Sequence, residues 1–246
     1  MKILLACPML EIRYEWFKNF MMVWEQVRSL PNTEMIFLPQ HRVPVQLAQT
    51  REVREAIKEG CDYILHIDDD VWDVPDGAVQ KLLDADKDFI SALMFAHGWP
   101  YHMCALVRKP EDKNTSLVDM VKRSPMGLLE APGESGVVPV DLVAFPLTLW
   151  KVSMFKKLPE PWFVYDEGVP TDNYFCQKCL DNGFQPYVHK DLPINHRGVT
   201  YWNRVYKFIA EGRYRIATGQ MTDKDPYYKV VLEQQKVLGK LQEEGA

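Results

Sequence analysis

The sequence predicts an α/β fold in which helices flank a central, mostly parallel β-sheet. Short apolar runs, which are typical of strands buried in parallel sheets, alternate with longer stretches whose apolar residues recur at helical spacing. The chain has 246 residues, which is long enough to bury a large core. Its hydrophobic fraction of 47% and charged fraction of 26% are ordinary for a globular protein.

The strands are predicted from apolar runs that stop at polar or turn-forming residues. They cover residues 3–6, 35–38, 64–67, 88–95, 103–107, 137–145 and 184–188. Helical periodicity or capping residues predict helices over residues 15–30, 45–58, 76–83, 150–158 and 171–180. Gly60 is a candidate C-cap for the second of these helices. This alternation predicts parallel βαβ units.

The remaining stretches are predicted as loops and as a C-terminal extension. Residues 111–116 are polar, and residues 124–136 are rich in glycine and proline. Two further predicted helices, residues 202–217 and 226–241, form a helical extension over residues 201–246 that we expect to pack on the same domain. The apolar residues of the last helix are equally compatible with packing on a second subunit.

Charge and hydropathy exclude some classes of partner. The net charge of −5 gives no general attraction to nucleic acids or anionic membranes, although a local basic patch could still bind an anion. The N-terminal stretch lacks a signal-peptide pattern, and no apolar run is long enough to span a bilayer. These features predict a soluble, cytoplasmic protein.

The five cysteines are scattered along the chain. Cys176 and Cys179 form one C-x-x-C pair, but the sequence lacks the second pair that a zinc site of this type needs. Reduced, partly buried thiols are therefore the default interpretation, and a redox role is the alternative.

Three consecutive carboxylates, Asp68, Asp69 and Asp70, follow the predicted strand at residues 64–67. Burying such a repulsive group without compensation would cost on the order of several kcal/mol for each charge. A cation would neutralise it at the carboxyl end of a strand, where open α/β sheets place their ligands. Hard oxygen ligands favour Mg²⁺ or Mn²⁺. A solvated acidic loop and helix cap is the alternative interpretation.

One region combines basic and aromatic residues, between residues 197 and 215. It contains Arg197, Arg204, Lys207, Arg213 and Arg215, interleaved with Tyr201, Trp202, Tyr206 and Tyr214. Two interpretations stay open for this region. It is either a solvated helix face, or a site for donor phosphates or a nucleic-acid acceptor.

The order of several motifs resembles a known family. The strand ending in Asp68-Asp69-Asp70 is followed by Pro161-Trp-Phe, by Asp172 opening a helix that carries Phe-Cys, by a Gly-Phe strand and by the isolated His196. This order resembles the GT-A fold glycosyltransferases, and most closely the family 2-like enzymes that use nucleotide sugars. The resemblance implies a Rossmann-like GT-A domain over residues 1–200.

The resemblance also implies a metal site and a candidate base. The three aspartates match the DXD motif, in which Asp70 binds the divalent metal, Mn²⁺ or Mg²⁺, and Asp68 meets the ribose or the metal through water. His196 falls where many members place a further metal ligand, although an isolated histidine is more often a loop residue. Asp172 falls at the acidic position near the acceptor, the general base of inverting members, although it is also a good helix N-cap.

Nucleotide contacts are implied for a second group of residues. Pro8 would line the base pocket, Arg51 would contact the nucleotide, Asp69 belongs to the donor-binding motif, and Arg197 would lie in a loop that folds over the diphosphate. The chain departs from the family in carrying Thr171-Asp172 where Glu-Asp is common. It also lacks Gln-x-x-Arg-Trp, which argues against a membrane-bound polymerising synthase.

The expected function is therefore metal-dependent transfer of a sugar from a nucleotide diphosphate, with UDP as the expected nucleotide, to a hydroxyl acceptor. The acceptor could be a glycan, a small molecule or a modified nucleic acid, with inversion or retention at the sugar. One alternative is a sugar-phosphate nucleotidyltransferase or a metal-dependent phosphohydrolase, although residues 7–13 lack the Gly-rich, Arg-Lys loop of the nucleotidyltransferases. The other alternative is a non-catalytic module that binds nucleotides or nucleic acids.

Overall fold

The computed structural model describes residues 1–9, 14–95, 103–123, 128–166 and 169–196, together with residues 216, 222–224 and 228. The predicted helices at residues 202–217 and 226–241 fall almost wholly outside these residues. The same holds for the basic-aromatic region and for the proposed packing of the C-terminal extension. Those expectations therefore stay predictions.

The described part of the chain alternates strands and helices from its N-terminus. The strands are β1 (Lys2–Met9), β2 (Glu34–His41), β3 (Tyr63–Ile67), β4 (Val71–Trp72), β5 (Phe89–Leu93), β6 (Ala105–Arg108), β7 (Leu128–Glu130), β8 (Val137–Pro139), β9 (Leu142–Val143), β10 (Leu147–Lys151), β11 (Tyr187–Pro193) and β12 (Asn195–His196). The helices are α1 (Tyr14–Arg28), α2 (Val45–Lys58), α3 (Ala78–Asp84), α4 (Leu117–Arg123), α5 (Val152–Phe155) and α6 (Thr171–Asp181), with a 3₁₀ turn at Pro110–Asp112.

In the described part of the chain, the central sheet has seven strands, in the order β2-β1-β3-β10-β5-β11-β8. β1 is parallel to β2 and β3, and β5 is parallel to β11. β10 is antiparallel to both β3 and β5, so β5 runs in the same direction as β3. β8 is antiparallel to β11 at one edge. Five strands of this sheet therefore share one direction, and the predicted α/β class is confirmed.

Both faces of the sheet are covered, as the continuous apolar runs predict. Along β1, Ile3 and Leu5 pack in a cluster with residues of α1 and α3, such as Val23 and Val79. Leu4 and its neighbours on the opposite face pack with residues of α2, α5 and α6. The sheet thus separates two apolar cores.

The predicted strand at residues 137–145 and the predicted helix at residues 150–158 are wrong in their boundaries. The chain instead forms β8, β9 and β10, with a single helical turn only at α5. Trp150 is fully buried in β10, between β3 and β5. A short, continuous run of apolar residues shows neither the alternation of a half-buried strand nor the spacing of an amphipathic helix. The sequence pattern could therefore not distinguish a central strand from a buried helix.

Smaller differences concern loops and caps. α4 follows the polar stretch that was predicted as a loop, and β7 lies within the Gly- and Pro-rich segment. β6 pairs with β7 and β9 in a separate small sheet. The N-cap of α6 is Pro170, without a side-chain cap bond, so Asp172 is the second helical residue and the alternative that made it the N-cap is wrong.

Within the described residues, no helix combines the length and the apolar character that crossing a membrane requires. All five cysteines lie in the described part of the chain, and none forms a disulfide. Burial raises the pKa of Cys104 to about 12 and that of Cys176 well above its ordinary value. These thiols are therefore protonated and unreactive at neutral pH.

Candidate functional site

The three aspartates follow β3 at the edge of the sheet where the parallel strands end. The backbone N–H of Asp68 donates to the carbonyl of Pro146 over 3.1 Å, just before β10. The carbonyl of Asp68 accepts a hydrogen bond of 3.0 Å from the indole N–H of Trp16 in α1. The start of the acidic loop is therefore held by two other parts of the fold, and its three side chains are each half-buried.

Backbone pairing brings the segment that carries His196 to the acidic loop. β4 follows Asp70 directly and pairs antiparallel with β12, so that His196 lies opposite Val71. The side-chain amide of Asn195 also donates to the carboxylate of Asp73. Residue 196 is thus paired with the residue that follows Asp70, although the two segments are far apart in sequence. The metal-binding role of His196 stays a prediction.

A cavity of about 200 Å³ brings together two of the predicted site residues. Asp68 enters it from the end of β3, and Asp172 enters it from the first turn of α6. Gln49 of α2 and Thr171 supply further polar lining, and Met94 and Phe145 supply apolar lining. We call this cavity the Asp68–Asp172 pocket.

Asp172 has the acid–base properties that proton transfer near neutral pH needs. Burial raises its pKa to about 6. A hydrogen bond from its own backbone N–H opposes this shift, the negative charge of Asp68 adds to it, and the positive charge of His66 opposes it. A carboxylate with a pKa close to the operating pH is both ionised and basic enough to accept a proton.

Asp68 is also the end of a buried chain of charged groups. His66 of β3 and Glu52 of α2 are both fully buried. The Nδ1 atom of His66 lies 2.8 Å from a carboxylate oxygen of Glu52, and its Nε2 atom lies 3.0 Å from Oδ1 of Asp68. Gln40 donates to the second oxygen of Glu52 over 3.3 Å. We call Glu52, His66 and Asp68 the buried triad.

The central histidine of the buried triad carries a positive charge at neutral pH. Burial by itself would lower the pKa of His66, but the charges of Glu52 and Asp68 and the hydrogen bonds to both raise it to about 10. Both ring nitrogens then donate, one to each carboxylate. The imidazolium therefore compensates part of the negative charge behind the acidic loop and holds Asp68 in one orientation.

Gln49, Glu52 and His66 were not predicted as site residues from the sequence. A signal for His66 was present, because it is the only polar residue within the apolar run of β3, and a buried polar group needs a partner. Glu52 and Gln49 lie on the inward face of α2, together with Val53 and the other buried residues of that helix. Both occupy positions at the helical spacing of the buried apolar residues of α2, and this spacing could have identified them as buried polar residues.

The predicted nucleotide contacts lie apart from this pocket. Arg51 is exposed on the other side of α2 and lines a second cavity, of about 460 Å³, together with Arg54 and the end of β2. Arg54 is engaged with Glu160 over 2.7 Å. Pro8 is half-buried near the end of β1, opposite Gln40. Neither Pro8 nor Arg51 is among the described residues that line the Asp68–Asp172 pocket, and Arg197 lies outside the described residues.

The acidic loop fits a metal that a ligand helps to hold. Among the described side chains, three or more carboxylates, imidazoles or thiols do not come together in a group that could hold an ion. Mg²⁺ in phosphate-processing proteins is typically held by only one or two carboxylates, with substrate phosphates and water completing its coordination. Asp68 and Asp70 supply hard oxygen donors of this kind.

Comparisons with known proteins show the fold only. No family model matches the chain, and no curated protein matches it. Among solved structures, the crystal structure of A197 from STIV is similar to it with a TM-score of 0.51 and 16% sequence identity, over 80% of this chain and 85% of that one. The chain thus has a mixed α/β fold that is shared, at low sequence identity, with A197 from STIV.

Proposed function

We propose that the protein is a metal-dependent glycosyltransferase of GT-A fold, which transfers a sugar from a nucleotide diphosphate, with UDP as the nucleotide, to a hydroxyl acceptor. One observation carries the proposal. Asp68, from the DXD-like loop after β3, and Asp172, from the first turn of α6, line the same small pocket. The family resemblance assigns these two residues to donor binding and to proton transfer.

The reaction needs a leaving group to gain negative charge while a hydroxyl loses its proton. Asp70, with Asp68 and His196, would hold Mn²⁺ or Mg²⁺, which supplies Lewis-acid stabilisation of the diphosphate when it is bound. In an inverting transfer, the carboxylate of Asp172 takes the proton of the acceptor hydroxyl. The hydroxyl oxygen forms a bond to the anomeric carbon as the bond from that carbon to the nucleotide diphosphate breaks.

Product analysis tests the proposed reaction directly. The protein is incubated with a panel of UDP-sugars and Mn²⁺, and the released products are separated. We expect slow release of UDP and free sugar by reaction with water, and loss of this activity when EDTA is added. Release of pyrophosphate from UTP and a sugar 1-phosphate, supplied in a separate incubation, would instead indicate nucleotidyl transfer, and no product with any donor would indicate a binding module. Either of these two results would contradict the proposal.

Asp70→Ala is expected to abolish the Mn²⁺-dependent part of UDP binding. Two unit charges at 4 Å attract by about 4 kcal/mol at an effective dielectric constant near 20. The loss of such a contact corresponds to a nearly thousandfold weaker affinity, or about three factors of ten at roughly 1.4 kcal/mol each. Isothermal titration calorimetry of UDP with and without Mn²⁺ measures the change.

Asp76→Ala is the matched control for this variant. Asp76 is an exposed aspartate six residues further along the same segment, so its removal changes the net charge equally. We expect the control to bind UDP and Mn²⁺ as the unaltered protein does. If Asp70→Ala also retains the full metal-dependent affinity, Asp70 does not hold the metal.

A further inference from the structure

Gln49 is a buried polar residue of the Asp68–Asp172 pocket whose side-chain oxygen accepts no hydrogen bond from the described residues. It lies on the inward face of α2, is 2% exposed and lines the pocket. Its Oε1 atom is buried without a hydrogen-bond partner among the described residues. Most buried side-chain oxygens in folded proteins have a partner, so an exception at a pocket wall points to a ligand.

The other polar groups of the pocket are also suited to accept hydrogen bonds. Asp68 and Asp172 present carboxylates, and Thr171 presents a hydroxyl that can accept or donate. Among the described residues that line the pocket, none is a lysine, an arginine or a histidine. Such a lining attracts hydroxyl groups and repels phosphates, which need cations or backbone N–H donors.

Size and apolar lining restrict the ligand further. The volume of about 200 Å³ is below the roughly 300 Å³ at which pockets begin to enclose drug-sized molecules, so one small unit fits and a whole nucleotide sugar does not. Met94 and Phe145 supply apolar surface, and Tyr165 is largely exposed at the pocket margin. Apolar and aromatic side chains of this kind suit the C–H faces of a sugar ring.

We propose that Gln49 accepts a hydrogen bond from a hydroxyl group of a neutral, polyhydroxylated unit bound in this pocket, and thereby selects it over phosphorylated compounds. The inference rests on the proposed function in taking that unit to be the transferred sugar or the acceptor. Oε1 is covered in this structure, so the contact requires the Gln49 amide to turn about its last torsion, which is soft and roughly two-fold.

Gln49→Leu tests the inference, with Gln46→Leu as its matched control. Leucine removes the acceptor at similar size, and Gln46 is a half-buried glutamine on the same helix that is not among the residues lining the pocket. Two kinds of probe are titrated by calorimetry and saturation-transfer NMR. One is the set of methyl glycosides of glucose, galactose, mannose and N-acetylglucosamine with their sugar 1-phosphates. The other is the set of matching UDP-sugars and UDP itself, with Mn²⁺.

For Gln49→Leu we expect about tenfold weaker binding of the hydroxylated unit and unchanged binding of UDP with Mn²⁺. Weaker binding of a methyl glycoside, with UDP-sugars unaffected, identifies the unit as the acceptor. Weaker binding of a UDP-sugar relative to UDP identifies it as the transferred sugar. Thermal unfolding checks that the variant is folded, and Gln49→Met, which also lacks the acceptor, replaces it if leucine is not tolerated.

Three results would overturn the inference. They are unchanged affinity for every probe in Gln49→Leu, tighter metal-free binding of a sugar 1-phosphate than of its methyl glycoside, and no binding of any methyl glycoside or UDP-sugar to the unaltered protein. Failure of the proposed function has a different signature. Methyl glycosides would then bind in a Gln49-dependent manner, while UDP with Mn²⁺ would not bind at all.

Discussion

Asp172→Asn is expected to stabilise the protein and to impair sugar transfer at the same time. Burial raises the pKa of Asp172 from 3.8 to about 6. A carboxyl whose pKa is higher in the folded than in the unfolded state weakens the fold progressively as the pH rises from about 4 to about 6. Removing this charge should therefore raise the free energy of unfolding at pH 7 by up to about 3 kcal/mol. Loss of a general base should slow transfer by about 10²–10⁴-fold.

Urea unfolding and initial rates of UDP release, measured on the same preparations, check both effects. In the unaltered protein, kcat/KM should rise with pH and level off above about 6, as the pKa of Asp172 requires. The residual kcat/KM of Asp172→Asn should not show this rise with pH. Asp181→Asn, at the exposed end of α6, is the matched control and should change neither quantity appreciably.

A structural role for Asp172 predicts the opposite pattern. If its carboxylate served mainly to stabilise the first turn of α6, the asparagine variant would be less stable and fully active. Lower stability together with unchanged transfer would therefore remove Asp172 from the chemistry. Stability changes in opposite directions under the two interpretations, and transfer slows only under the first, so a general loss of folded protein cannot be mistaken for a catalytic effect.

Glu52→Ala is expected to destabilise the protein by about 3–5 kcal/mol. Removing one member of a buried ion pair leaves the remaining charge uncompensated in a medium of low polarity. In the buried triad, His66 would lose the carboxylate at 2.8 Å from its Nδ1 atom while staying fully enclosed. The free energy of unfolding, measured with urea, gives the size of this effect.

Glu55→Ala provides the matched comparison, since it removes a glutamate from the same helix. Glu55 pairs with Lys58 at the protein surface, and exposed pairs of this kind contribute between 0 and about 1 kcal/mol. If Glu52→Ala and Glu55→Ala lower the free energy of unfolding by the same small amount, the buried triad does not stabilise the fold.

The pH dependence gives a second test of the buried triad. The pKa of His66 is raised in the folded protein, so its pairing stabilises the fold fully below its ordinary pKa of 6.5. This contribution is lost as the pH rises towards about 10. The difference in stability between the unaltered protein and Glu52→Ala should therefore shrink across this interval. A difference that stays constant would mean that His66 is not the charged partner.

Several elements were predictable because their signals are local. The apolar run of β3 ends at Asp68, and the repeat of apolar residues on α2 spans Val45–Lys58 and stops before Gly60, which has a positive φ of 67°. Each of these signals depends on residues within a few positions of one another. Helix periodicity, capping and chain reversal are set by the same short range of sequence.

β10, which was not predicted and which takes the first two residues of the helix predicted at residues 150–158, shows where local signals fail. Leu147 to Trp150 are buried between β3 and β5, and that burial is set by strands distant in sequence. The insertion of this strand also places the loop before it, with Phe145, in the wall of the pocket. The order of strands in the sheet therefore decided part of the candidate site as well as part of the fold.

The sequence by itself determined the α/β class, most strand and helix positions in the first half of the chain, and the acidic loop at the end of β3. Only the tertiary structure decided that Asp172 shares a pocket with Asp68, that Glu52 and His66 form a buried chain behind it, and that Gln49 faces the same pocket. The physical reason is that a strand end or a helix face is specified by neighbouring residues. The partners of a buried charge are specified by which strands and helices pack together, which depends on the whole chain.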